Sequence, residues 1–231
     1  MKDDNPDMLL LAGDLAQFDT TDEDLLLGLL PENQAEAIGK YRRLEDRRRR
    51  MLARLLLAFG LQLVEAWSPR RTLSALYVEP EGRPRLRDCR REISFSHSGR
   101  WAVCAIGNGS SVGQVGVDVE EIKSLALDEV ALVFSEEEMA AIRASADPSV
   151  ELIRRWTIKE AVLKAQGKGF LGDPRPVKTG SFSGCGEGPG YFWKHIPLDK
   201  NYWLTVAAEF SWKSLRQVAP SKKELLAIFD K

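Results

Sequence analysis

Histidine and cysteine are scarce in this chain, two and three residues among 231, and the scarcity removes several chemistries. Cys89, Cys104 and Cys185 are odd in number and scattered. They fit neither a disulfide framework nor a zinc-ligand spacing and read as reduced, structural thiols. Long apolar runs are missing too. Stretches such as Leu55–Gly60 and Met8–Ala12 fall far short of the roughly 20 residues of a membrane-spanning helix. No one sign of charge dominates. A formal net charge of −1 gives no global pull toward nucleic acid or a membrane, so any cationic site must be local. Met1-Lys2-Asp3-Asp4 is acidic and lacks signal-peptide architecture, so a cytoplasmic location is expected.

What is present suits an ordinary globular protein, with 44% hydrophobic and 29% charged residues. The length allows one large domain or two compact halves. Met8–Ala12 reads as a first strand. Thr21-Asp22-Glu23-Asp24 before Leu25–Leu30 reads as a capped helix start. Leu44–Leu63 is the clearest helix. Leu52, Leu55, Leu56, Phe59 and Leu63 lie within about 50° of one direction, and Arg43, Arg47, Arg50 and Arg54 lie on the opposite face, expected to be solvated. Arg48 and Arg49 flank the apolar stripe, where a guanidinium snorkels or finds an anion. Ser74–Glu79, Ile93–Ser96 and Trp101–Ile106 read as strands. Gly107-Asn108-Gly109-Ser110-Ser111 is a loop between strands, without the fingerprint of a dinucleotide site. Ser135-Glu136-Glu137-Glu138 is a capping box opening a helix to about Ala144. Val150–Gln166 is helical, stopped by Gly167 and Gly169. Beyond Pro174 the chain reads as β, at Gly180–Ser183, Tyr191–Ile196 and Tyr202–Glu209. The elements mix without regular βαβ alternation, so the fold class is α+β. The Gly107–Gly113 loop is the expected seam, dividing an N-terminal half, 1–112, from a C-terminal half, 113–231.

Three acidic positions invite a chemical reading. Strict alternation in Val115-Gly116-Val117-Asp118-Val119-Glu120 puts Asp118 and Glu120 on one strand face. Two such carboxylates form either an exposed polar face or a pair awaiting a cation. On the following helix Trp156, Glu160 and Lys164 share a face, as a surface ion pair beside a core tryptophan or as part of a site. His97 stands in Ser94-Phe95-Ser96-His97-Ser98-Gly99. Neighbouring strand residues point to opposite faces, so Ser96 and Ser98 are poorly placed as its nucleophile, and no Gly-x-Ser-x-Gly elbow is present.

Taken together and in order, these segments resemble the 4′-phosphopantetheinyl transferase superfamily, in particular its longer, surfactin-synthetase-activating class. The matching stretches are Gly82-Arg83-Pro84, Ser96-His97-Ser98-Gly99, Gly116-Val117-Asp118-Val119-Glu120, Trp156-Thr157-Ile158-Lys159-Glu160-Ala161-Val162-Leu163-Lys164, and Gly167-Lys168-Gly169-Phe170. The first forty and last fifty residues resemble the family only in layout.

The resemblance implies two similar halves related by a pseudo-twofold, with coenzyme A in the cleft between them. It implies transfer of phosphopantetheine to a serine of an apo acyl or peptidyl carrier protein, releasing adenosine 3′,5′-bisphosphate. By the same resemblance Asp118, Glu120 and Glu160 hold Mg²⁺, Glu160 acts as base, and Lys164 stabilises charge passing to the leaving group. Ser96 and His97 match positions that contact coenzyme A phosphates. Arg83, and Arg48 or Arg49, match cations near the adenosine and its 3′-phosphate. Lys159 lies off the catalytic face. Carrier docking falls between Glu121 and Ser135, with Leu125, Leu127 and Val130 as apolar contacts. A monomer is expected, with no nucleic-acid or membrane partner. Two other readings use the same residues: a Mg²⁺-dependent phosphodiesterase with water as nucleophile, and a non-catalytic relative that binds coenzyme A or carriers.

Overall fold

Alternation in the first strand sets the layering. In β1 (Met8–Asp14), Leu9 and Leu11 join one apolar cluster while Met8, Leu10 and Ala12 join another. A strand buried on both faces must lie between two layers. The computed structural model describes residues 5–124, 131–168, 172–180 and 184–230. Its further strands are β2 (Leu76–Val78), β3 (Pro84–Leu86), β4 (Arg91–Ser98), β5 (Trp101–Asn108), β6 (Val115–Glu121), β7 (Cys185–Gly188), β8 (Tyr191–His195), β9 (Tyr202–Ala208) and β10 (Leu215–Val218). One four-stranded sheet runs β10-β1-β5-β4 and the other β6-β9-β8-β7, with β2 and β3 paired separately. β1 is antiparallel to β5 and parallel to β10, so the end of the chain returns to the first sheet.

Each sheet carries one long helix. Helix Leu44–Glu65 lays Leu52, Leu55 and Leu56 on Leu9, Leu11, Ile93 and Ile106 of the first sheet. Helix Pro148–Ala165 lays Ile158, Ala161 and Val162 on Tyr191, Trp193 and Ala207 of the second. Between the sheets, Met8, Leu10, Ala12, Val103 and Ala105 meet Val115, Val117, Val119, Leu204 and Val206. The layers run helix, sheet, sheet, helix, and the α+β expectation holds.

The glycine two residues before Asp118 explains how closely the second helix approaches. A Cβ at Gly116 would lie 1.9 Å from the Ala161 carbonyl oxygen and 2.6 Å from the Ala165 nitrogen. Only glycine lets β6 press against the helix backbone, and this brings Asp118 to the level of Glu160 and Lys164.

Several expectations need correction. Ser74–Glu79 is not one strand. Ser68 caps a helix, Pro69–Ala75, with proline in its first turn, and only Leu76–Val78 is extended. The Gly107–Ser111 loop is taken up by the end of β5 and a one-turn helix, Gly109–Val112, capped by Asn108. The region beyond Pro174 is not wholly β, because Ser221 and Glu224 form a capping box for a helix, Lys222–Ala227. Of the segment Gly180–Ser183, residues 181–183 lie outside the described residues. Leu63 leaves the buried stripe and is 44% exposed. Arg47, Arg50 and Arg54 are half-buried rather than solvated. Helices Glu23–Gly28 and Glu32–Gly39 pack across that end of the long helix, Arg47 pairs with Glu23, and Arg50 sits over the Tyr41 ring.

Candidate active site

β4 and β6 are the facing edges of the two sheets, and serine side chains join them. Ser94 Oγ accepts the Val117 N–H (3.1 Å), Ser96 Oγ the Val119 N–H (3.3 Å) and Ser98 Oγ the Glu121 N–H (3.2 Å). The period of two in β4 makes this possible. Three hydroxyls point to β6, while Ile93 and Phe95 point to the first helix.

The acidic residues stand along this seam. Asp118 is 3% exposed, which excludes a polar face open to water. Its Oδ1 accepts from Ser96 Oγ and from Lys164 Nζ, each at 2.7 Å. Its Oδ2 is buried without a hydrogen-bond partner. Glu120 accepts from Ser98 Oγ through Oε2 (2.7 Å). Burial, and then the charge of Asp118, pushes its pKa up to about 7. Glu160 is buried and makes no hydrogen bond or ion pair among the described residues. Burial first, and Asp118 second, raises its pKa as well. Lys164 thus pairs with Asp118 on β6 rather than along its helix with Glu160, and it also donates to the Val117 carbonyl (3.1 Å).

This is an excess of buried acceptor oxygen over donors. Among the described residues no three acidic, histidine or cysteine side chains close up into a metal cage by themselves. The donor set still fits a small hard cation. Mg²⁺ keeps several waters and takes one or two carboxylates together with substrate phosphates. The orphaned Asp118 Oδ2 is the acceptor most in need of one.

β4 delivers a different group to its other face. His97 lies close to Arg50 and Arg49. Burial, with the charges of Arg50 and then Arg49, pushes it down to about 4, so its ring is neutral at physiological pH. Arg49 donates to the Gly99 carbonyl (2.7 Å) and pairs with Asp46. Arg54, behind Arg50, is lowered to about 10 by burial and by the charge of Arg50. A strand only one residue thick separates this cationic cluster from the carboxylates.

Other anticipated residues sit elsewhere. Ser96 and His97 lie on opposite faces of β4 by strand alternation, and the Ser96 hydroxyl donates to Asp118. Arg48 is buried and turned away from His97, donating to the Phe18 carbonyl. Arg83 is buried between Glu92, Gln114 and the Ala165 carbonyl, where it ties the first half to the end of the second helix. Lys159 reaches Glu138 (2.9 Å) and the carbonyls of Pro174 and Val177, off the catalytic face as expected. Trp156 packs beside Phe134, Met139 and Trp203. Leu125, Leu127 and Val130, with Gly169 and Phe170, lie outside the described residues.

Reading the sequence missed Ser94 and Ser98 as partners of β6, and Arg50 and Arg54 as half-buried cations. The first was signalled by Ser-x-Ser-x-Ser at the strand period. The second had no local signal, because Arg50 and Arg54 are withdrawn from water by the arrangement of elements distant in sequence.

Comparison with known proteins identifies the family. The family model of the 4′-phosphopantetheinyl transferase superfamily matches residues 114–207, from Gln114 through β6 and the second helix to β9. A putative 4′-phosphopantetheinyl transferase of Haemophilus influenzae is 30% identical over 74% of this chain and 75% of its own length. The 4′-phosphopantetheinyl transferase gsp of Aneurinibacillus migulanus is 36% identical over 34% of this chain and 32% of its own. A 4′-phosphopantetheinyl transferase of Bacillus subtilis is 25% identical over 64% of this chain and 65% of its own.

Proposed function

The chain belongs to the 4′-phosphopantetheinyl transferase superfamily, and from that premise we propose that Asp118, Glu120 and Glu160 hold a Mg²⁺ that serves its reaction. The protein transfers the 4′-phosphopantetheine arm of coenzyme A to a serine of an apo carrier protein. The serine Oγ–phosphorus bond forms, the bond from phosphorus to adenosine 3′,5′-bisphosphate breaks, and the serine proton must be taken up. Such a reaction asks for positioning and charge neutralisation more than for covalent chemistry. The observation that carries the reading is the buried Asp118 Oδ2, which has no hydrogen-bond partner among the described residues, beside a buried Glu160 whose pKa its charge helps to raise.

Each residue then has a task. Mg²⁺ held by Asp118, Glu120 and Glu160 would supply positive charge to neutralise the phosphates of coenzyme A. Glu160 accepts the serine proton, directly or through a water, and its raised pKa makes it a better base than a solvated glutamate. Lys164 has three protons and spends two on Asp118 and Val117, which leaves one for the departing phosphate. Neutral His97 with Arg49 and Arg50 grips a further phosphate of coenzyme A, the 3′-phosphate being the group that most needs a cation. Arg83 acts through structure, holding the halves at their working distance. Apo acyl or peptidyl carriers, of whichever pathway, are the partners. A cytoplasmic monomer suffices, because one chain supplies both the serine strand and the acidic helix.

The test is mass spectrometry of several apo-carriers incubated with the protein, coenzyme A and Mg²⁺. The expected result is the added mass of phosphopantetheine on a carrier serine. Cleavage of coenzyme A with no carrier modified points to a hydrolase instead.

A further inference from the structure

The three rungs of the serine seam are chemically unequal. A hydroxyl has one proton to give and two lone pairs to receive. Ser94 Oγ accepts the Val117 N–H and, among the described residues, donates to no carboxylate. Ser96 and Ser98 accept an N–H in the same way, yet each also gives its proton to an acidic residue, Ser96 to Asp118 and Ser98 to Glu120. Joining two sheet edges needs only the accepting half of each hydroxyl. On two rungs the donating half is aimed at carboxylates two residues apart on β6.

Glu120 has most to gain from this. Unlike Asp118, it makes no direct ion pair with a lysine among the described residues, where the Ser98 hydroxyl is the only hydrogen-bond partner of its side chain. A glutamate side chain has three torsions, and one bond to a hydroxyl that is itself fixed by the Glu121 N–H removes most of that freedom. Oε2 already accepts a hydrogen bond, so Oε1, which accepts none among the described residues, is the oxygen freer to meet a cation.

We propose that Ser98 is a positioning residue, whose hydroxyl holds Glu120 so that its free oxygen is presented to the cation shared with Asp118 and Glu160. The proposal rests on the metal reading above. It makes Ser94 a built-in control, a rung of the same seam without a carboxylate attached.

The experiment is calorimetric titration of the full-length protein with Mg²⁺ in the presence of coenzyme A, beside the dependence of transfer on Mg²⁺ concentration. Ser98→Ala should weaken Mg²⁺ binding about tenfold, the usual effect of losing a partner that orients a ligand. Its KM for Mg²⁺ should rise while kcat at saturating Mg²⁺ recovers. Ser94→Ala should lower the melting temperature but leave Mg²⁺ affinity at the wild-type value. Ser98→Thr keeps the hydroxyl and should keep the affinity. Equal Mg²⁺ affinity in Ser98→Ala and Ser94→Ala overturns the proposal, and so does a Ser98→Thr protein as weak as Ser98→Ala. Wild-type protein that binds no Mg²⁺ in the same cell overturns the metal reading, and this proposal with it.

Discussion

The two long helices pack on their sheets in the same layered way but bury opposite things. Helix Leu44–Glu65 buries Met51, Leu52, Leu55, Leu56, Leu57 and Leu61, with Arg48 as its one fully buried charge among the described residues. Helix Pro148–Ala165 buries Arg154, Arg155, Lys159 and Glu160 among its apolar residues. A buried charge is tolerated when it is paired. Arg154 and Arg155 both pair with Glu151, and Lys159 pairs with Glu138. Glu160 alone on this helix is a buried charge left without a partner among the described residues. The first helix is therefore a stabilising element. The second carries a polar network with one deliberate gap, and that gap faces Asp118.

The contrast predicts different costs for substitutions in the two helices, and the largest is at the gap. Glu160→Gln should lower kcat/KM by about 10³-fold, the scale of losing one preorganised electrostatic group. Its melting temperature should stay level or rise, since an unpaired buried carboxylate is removed. A falling melting temperature in thermal denaturation, with activity retained, would break the distinction between the helices. Next comes the opposite case. Leu56→Ala in the first helix should cost about 2–5 kcal/mol of stability by leaving a cavity. At a temperature where the variant is folded, its kcat/KM should match wild type in the transfer assay.

Smaller effects sharpen the comparison within the first helix, whose only functional contribution is on the His97 side. Arg50→Ala should raise KM for coenzyme A about tenfold, the effect of one lost charge-assisted hydrogen bond. Arg48→Ala should leave that KM unchanged and lower the melting temperature instead, because its bond is to the Phe18 carbonyl. With dephospho-coenzyme A, which lacks the 3′-phosphate, wild type and Arg50→Ala should give the same KM. The smallest effect is on pH. Burial and the charge of Asp118 push the folded Glu120 pKa up to about 7, well above about 4.5 for a solvated glutamate. A raised folded pKa means that the metal-free protein holds its proton more tightly than the unfolded chain. This stabilisation is fully present below 4.5 and is lost as pH rises through about 7. Mg²⁺ needs the ionised form, so its affinity should rise about tenfold from pH 6 to pH 8, as measured by calorimetry.

Much of this arrangement was legible in the sequence wherever the signal was periodic. β6 and the first long helix were legible through alternation and a helical stripe, and β1, β4, β5, β8, β9 and the second long helix as runs bounded by turn or glycine signals. Pro69–Ala75 did not, because seven residues are too few to show a period, although Ser68-Pro69 is a start signal. The return of β10 to pair in parallel with β1 could not be read, since register across some two hundred residues leaves no local mark. At the site, residue types and order identified Asp118, Glu120, Glu160 and Lys164 as candidates. Which neighbour each would have was not legible. Strand alternation predicts that Ser96 and His97 part company, but only the packing of β4 against β6 shows that Ser96 turns to Asp118 and His97 to the arginines.

The claim beneath all of this is that three carboxylates, two on β6 and one on the helix Pro148–Ala165, bind one Mg²⁺. Calorimetric titration of the wild type and of Asp118→Asn with Mg²⁺, with coenzyme A present, tests it directly. The account predicts saturable binding of a single Mg²⁺ by the wild type and no measurable binding by Asp118→Asn. Equal binding by the two proteins would contradict it.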